Sequence, residues 1–203
     1  HLPPDVLEPF LDARVLPQER DCVLDLLTKR IKDRIPSAYL TNEGWLRGRC
    51  FYVDQRTIVP RSSIAALLDD RLEPWVTNPN HIRTILDMCT GSGCLAILAA
   101  QNFPDAYVEA IDILYSALEV AQYNVTSFCL ENRVFLQQGN LFSCLAEKSY
   151  DLIICNPPYV GQEVMETLPE EYLCEPRLAL EGGKDGMDLI GEIIKKSGAF
   201  LNP

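Results

Sequence analysis

Hydrophobic and polar positions along this chain follow two regimes that change near Pro60. Before it, Leu24, Leu27, Ile31 and Ile35 recur at helical spacing between charged residues. That spacing predicts an amphipathic helix from about Pro17 to Arg34, stopped by Pro36. Between Tyr39 and Pro60 the pattern shortens to β-like runs: Gly44-Trp45-Leu46, Cys50-Phe51-Tyr52-Val53 and Thr57-Ile58-Val59. Gly48 and the pair Asp54-Gln55 supply turns, so a small hairpin or meander is expected. After Pro60, strand-like and helix-like stretches alternate. Thr84 to Met88 reads as a strand, Cys94 to Asn102 as a helix, Tyr107 to Asp112 as a strand and Tyr115 to Phe128 as a helix. Val134 to Gln137 is a third strand, the apolar run Tyr150 to Ile154 a fourth, and Asp185 to Ser197 a closing helix.

Alternation of this kind implies right-handed crossovers and a parallel sheet covered on both faces. The expected fold is therefore α/β, a Rossmann-like domain over residues 61–203. An N-terminal helix and β-hairpin over residues 1–60 form a candidate substrate-recognition region.

Composition narrows the function classes. The chain has 203 residues, 47% hydrophobic and 23% charged, enough for one domain with a sizeable core plus an appendage. No apolar run approaches the roughly 20 residues that a membrane helix needs. Only 18 basic residues face 29 acidic ones, a net charge of −11. That balance argues against phosphate-driven binding of nucleic acid and favours a basic partner. Eight cysteines show no C-x-x-C spacing, and His1 and His81 are the only imidazoles, so no zinc site is expected. Cys89, Cys94 and Cys155 fall inside apolar patterns, where a free thiol acts as a small hydrophobe. A reduced, cytoplasmic compartment follows.

Candidate chemistry gathers at the carboxyl ends of the expected strands. Asp87-Met88-Cys89-Thr90-Gly91-Ser92-Gly93-Cys94 runs from strand into helix, and Ala96 completes a G-x-G-x-x-A pattern. Asp112 lies 21 residues after Gly91, where a carboxylate can accept both ribose hydroxyls of an adenosine. The glycines alone serve a nicotinamide dinucleotide and S-adenosylmethionine equally. Asp87 shifts the balance, because a carboxylate before the turn attracts an amino or sulfonium group and repels a pyrophosphate. The second feature is Asn156-Pro157-Pro158-Tyr159, directly after the fourth strand. Its amide oxygen and a proline-flanked carbonyl can each accept one N–H of a flat NH2 group, and its ring can stack on the plane. The plain alternative for that segment is a turn.

These residues resemble a family. Asp87 to Gly93 together with Asn156 to Tyr159 is similar to the class I S-adenosylmethionine-dependent glutamine methyltransferases that modify the translation machinery (the HemK/Prm family). Tyr39-Leu40-Thr41-Asn42, Phe51-Tyr52-Val53-Asp54, Val59-Pro60-Arg61-Ser62, Leu168-Pro169-Glu170-Glu171-Tyr172 and Glu175-Pro176 resemble the PrmB-type branch. That branch acts on the third protein of the large ribosomal subunit. The likeness spans roughly residues 31–194. It implies cofactor contacts at Asp87, Thr90, Gly91, Gly93, Asp112, Asn140 and Asn156. It further implies that Asn156, Pro157, Pro158 and Tyr159 hold the glutamine amide, with Asn156, Pro157 and Tyr159 as the catalytic set. Asn140 stands where the family commonly has an acidic residue near the adenine. The implied partner is a basic ribosomal protein, with no direct nucleic-acid or membrane contact. Release-factor methylation, base-amine methylation of nucleic acid and a non-methylating nicotinamide-binding module are the alternatives. Ala199 to Pro203 resembles the loop entering a fifth strand. The expected sheet is accordingly four parallel strands in the order third, second, first, fourth, with further C-terminal strands missing and the fourth strand an unprotected edge.

Overall fold

The structure is a computed structural model that describes residues 8, 11–145 and 148–202; His1 and Pro203 lie outside them. Contacts divide the chain between Ile35 and Pro36 rather than at Pro60. The hairpin thus belongs to the larger unit, and the N-terminal unit carries helix α1, Pro17–Lys32. In α1 a proline opens the first turn, Glu19 accepts the Leu16 N–H at 2.8 Å, and Lys29, Arg30 and Lys32 complement the C-terminal dipole. It ends two residues before Arg34, because Asp33 takes the C-cap and Arg34 turns to φ +55°. Leu24, Leu27 and Ile31 are exposed.

In the larger unit, helix α2 (Ser37–Thr41) leads into strands β1 (Glu43–Leu46) and β2 (Arg49–Tyr52). They pair antiparallel with Leu46 opposite Arg49, joined by Arg47-Gly48. Both loop residues have positive φ (52° and 73°), the signature of a tight hairpin turn whose twist matches its strands. The expected run Thr57–Val59 is not a strand. Thr57 N–H instead closes a turn on the Asp54 carbonyl at 3.1 Å, and the Tyr39 hydroxyl donates to the Thr57 carbonyl at 2.6 Å.

Beyond helix α3 (Ile64–Asp69) come β3 (Thr84–Met88), α4 (Cys94–Asn102), β4 (Tyr107–Asp112), α5 (Tyr115–Ser127), β5 (Val134–Gln138) and β6 (Leu152–Cys155). Short helix α6 (Gln162–Met165) and helix α7 (Asp188–Ser197) follow. The four later strands form one parallel sheet in the order β5-β4-β3-β6, the expected arrangement. A single parallel bridge joins Tyr150 to Leu201 beside β6. Side-chain alternation along β3 sorts the core into two layers. Ile85 packs with Leu95 to Ala100 of α4, Val108 and Ile154, whereas Leu86 and Met88 pack with Ile111, Phe142 and Ile193 of α7. α7 starts three residues later than expected, since Met187 N–H is taken by the Asp185 side chain in a local turn.

Buried Asn124 of α5 ties the hairpin to the loop after β3. Its Oδ1 accepts the Tyr52 N–H at 2.7 Å, and its Nδ2 donates to the carbonyls of Tyr52 (3.0 Å) and Ser92 (2.8 Å). No helix among the described residues is long and apolar enough to cross a membrane.

Candidate active site

Strands β3, β4 and β6 end together because the sheet is parallel, so the loops at their carboxyl ends converge on one edge, where open α/β sheets bind ligands. The loop after β3 bends through Cys89 (φ +57°), Gly91 (φ +55°) and Gly93 (φ +78°) before α4 begins. Gly93 needs both its φ and its missing side chain, since a Cβ there would lie 3.1 Å from that of Ala121. Thr90 N–H donates to the Ile111 carbonyl at 3.0 Å, locking the loop onto β4.

Asp112 is held rigidly. Its Oδ2 accepts the Gly91 N–H at 2.9 Å and its Oδ1 the Leu114 N–H at 3.0 Å. Burial raises its pKa, and those backbone donors oppose the rise. Asp112 faces a cavity of about 250 Å³. Met88, Ile111, Leu114 and Leu141 give the cavity apolar walls, and Gly91, Asn140 and Asn156 line it as well. A carboxylate beside apolar slots suits a ribose and an adenine ring. Asp87 is fully buried on the α4 side of β3 and does not line this cavity. Its Oδ2 accepts the Thr90 hydroxyl at 2.6 Å, and its Oδ1 has no hydrogen-bond partner.

Asn156 lines a second cavity, of about 240 Å³, together with Pro157, Tyr159, Arg61, Leu168 and Tyr172. Pro158 is buried and lines the first cavity, while Tyr159 is 56% exposed. The segment is braced from behind. Val160 N–H donates to the Leu180 carbonyl and Gly182 N–H to the Val160 carbonyl, each at 2.8 Å. Gly186 (φ +82°) runs so close that a Cβ there would lie 2.2 Å from the Tyr159 carbonyl oxygen.

The structure therefore brings Gly91, Asp112, Asn140, Asn156 and Pro158 to one cavity and Asn156, Pro157 and Tyr159 to its neighbour. Asp87, Thr90 and Gly93 stand behind the first cavity as support for the loop. Sequence reasoning missed Arg56, Thr57 and Ile58, which line the first cavity, and the Gly182 to Gly186 brace. A Gly-Gly-x-x-Gly run was the one available signal for the brace. Cys89 lines the first cavity too, while burial pushes the Cys94 thiol up to about 12. Among the described residues, no group of three His, Cys, Asp or Glu side chains could hold a metal ion.

Comparison with known proteins gives this geometry its context. The methyltransferase small domain family matches residues 66–201. A ribosomal protein uL3 glutamine methyltransferase from Bordetella pertussis is 58% identical over 100% of this chain and 68% of its own length. The chain belongs to the uL3 glutamine methyltransferase family. The same-named protein of Burkholderia pseudomallei is 50% identical over 99% of this chain and 68% of its own length. The chain thus spans about two thirds of these relatives. The hMettl16 catalytic domain in complex with MAT2A 3'UTR hairpin 6 shares the fold at 16% identity, with a TM-score of 0.58 over 94% of this chain and 69% of that one. The chain is an S-adenosylmethionine-dependent methyltransferase.

Proposed function

We propose that this enzyme methylates the side-chain amide nitrogen of a glutamine in ribosomal protein uL3. The observation that carries the reading is the meeting of two cavities at Asn156, one beside Asp112 and one beside Tyr159. A donor and an acceptor held in adjoining cavities can react across the shared residue.

S-adenosylmethionine supplies a methyl group already activated on a sulfonium. Asp112 accepts the ribose hydroxyls, Gly91 and Gly93 let the backbone approach, Asn140 offers its amide to the adenine edge, and Asp87 counters the cationic end. A glutamine nitrogen is a poor nucleophile, because its lone pair is delocalised into the carbonyl. Asn156 Oδ1 and the Pro157 carbonyl accept its two N–H groups and aim the lone pair, while Tyr159 packs on the amide plane. In-line placement of this kind can lower a barrier by about 7–11 kcal/mol. No strong base is needed, because the proton leaves after the nitrogen has become cationic.

Removal of the Asp112 carboxylate in Asp112→Ala is expected to weaken binding of S-adenosylhomocysteine by about 1.5–3 kcal/mol, the scale of hydrogen bonds to a charged group. Calorimetry with unchanged affinity would make Asp112 a cap for the Gly91 and Leu114 amides only. The net charge of −11 supports a basic protein substrate, and a ribosomal-protein substrate would place the enzyme in the cytoplasm. The substrate reading is tested with labelled cofactor and purified uL3, release factors and ribosomal RNA offered separately. Label is expected on uL3. Label on release factors alone would move the enzyme to the sister branch, and label on RNA alone would overturn a protein substrate.

A further inference from the structure

The second cavity has an inner wall of strand-end residues and an outer wall of two segments far apart in the chain. Residues 57–61 follow the hairpin, and residues 168–180 follow the Asn156 to Tyr159 segment. A charge pair fastens the outer segments. Arg61 donates through Nη1 to Glu175 Oε1 and through Nη2 to Glu175 Oε2, both at 2.8 Å. The Glu175 side chain is only 4% exposed, and the Arg61 guanidinium lies 4.9 Å from the centre of the Tyr172 ring. Backbone bonds of the outer loop, from Tyr172 to Pro169, Glu175 to Tyr172 and Ala179 to Pro176, close local turns within it. The bond across to residue 61 is made by side chains over a separation of 114 residues. Arg61, Leu168 and Tyr172 line the second cavity and not the first.

Resting on the uL3 reading, we propose that Arg61 and Glu175 are positioning residues for the protein substrate: their two-point bond sets the distance between the outer loop and Asn156-Pro157-Pro158-Tyr159, and so fixes how the glutamine side chain enters. A planar guanidinium is needed, since it meets both carboxylate oxygens and stacks on Tyr172 together. An ammonium in its place reaches one oxygen at a time and cannot stack, so the loop would gain freedom while its charge balance stayed the same. The cofactor's cavity keeps Gly91, Asp112 and Asn140 untouched by such a change.

Arg61→Lys and Glu175→Gln separate this role from general support of the fold. For both variants the Kd for uL3 in the presence of S-adenosylhomocysteine, and the KM for uL3 in labelled transfer, should rise at least about tenfold, given how steeply rate and binding depend on placement. The affinity for S-adenosylhomocysteine alone should stay within about twofold of the parent. Unchanged uL3 affinity in Arg61→Lys overturns the proposal. So does a fall in S-adenosylhomocysteine affinity in step with the loss of uL3 binding, the result that general unfolding would give. A parent enzyme that neither binds nor labels uL3 would instead refute the substrate reading and take the pair's role with it, so the two failures are distinguishable.

Discussion

Asn156→Ala is expected to lower methyl transfer to uL3 by roughly 10²–10³-fold, the usual loss when one preorganised hydrogen-bonding group is removed from a reacting centre. The affinity for S-adenosylhomocysteine should remain close to that of the parent. Asn156 touches both cavities, but the first keeps Asp112, Asn140 and its apolar walls without it. The second loses the side chain proposed to take one N–H of the target amide. Alanine preserves the backbone between Cys155 and Pro157, so the Pro157 carbonyl can still accept the other N–H, and the residual rate should reflect a tethered but poorly aimed nitrogen. Single-turnover transfer of labelled methyl groups, read beside calorimetry, checks both halves. Lost cofactor binding with a normal rate at saturation would show that Asn156 serves the donor and not the acceptor.

How far the sequence foretold the site depends on whether the signal was local. β3, α4 and β4 begin and end at the expected residues, because each has a short apolar centre and the glycine turn at Gly91 to Gly93 separates the first strand from its helix. The meeting of Gly91 and Asp112 at one cavity was legible for a related reason, as spacing within one strand-turn-helix-strand unit. Thr57 to Val59 misled because an apolar run at a cavity mouth looks like a strand from sequence. Thr57 and Ile58 line the first cavity instead of joining a sheet. The bond between Arg61 and Glu175 left no local trace. Each residue taken alone is an ordinary surface charge, and the pair exists only because the fold brings two loops together over the second cavity. The hairpin was likewise legible as an element and not as a neighbour. Its attachment depends on Asn124, a single amide on a distant helix that satisfies a strand-end N–H and carbonyl.

Asp87 shows the same limit and carries the strongest expected pH effect. Its position before the glycine turn was plain, but its burial follows from strand alternation, which puts it on the face of Ile85, under α4. Burial is the main cause that pushes its carboxyl up from the ordinary 3.8 to about 7; the Thr90 hydroxyl and the nearby Ala96 N–H oppose the rise, and Asp112 adds to it. Between those values the folded enzyme keeps a proton that the unfolded chain has released. The stability contributed by protonated Asp87 is therefore complete below about pH 4 and is lost as pH rises toward 7. The full interval corresponds to roughly 4 kcal/mol. Asp87→Asn is neutral at every pH, so the cofactor-free variant should be more stable than the parent at pH 8 and lack its decline from pH 4 to 7. Cofactor binding should respond in the opposite sense. A cationic group near the unpaired Oδ1 favours ionised Asp87, so the parent's affinity for S-adenosylmethionine should rise with pH up to about 7. The variant should bind more weakly, with little pH dependence. Urea unfolding at pH 5 and pH 8, with calorimetry at the same values, measures both trends. Parallel stability profiles for parent and variant would show that the Asp87 carboxylate is satisfied in the folded enzyme, and would remove it from the set of residues that meet the cofactor's charge.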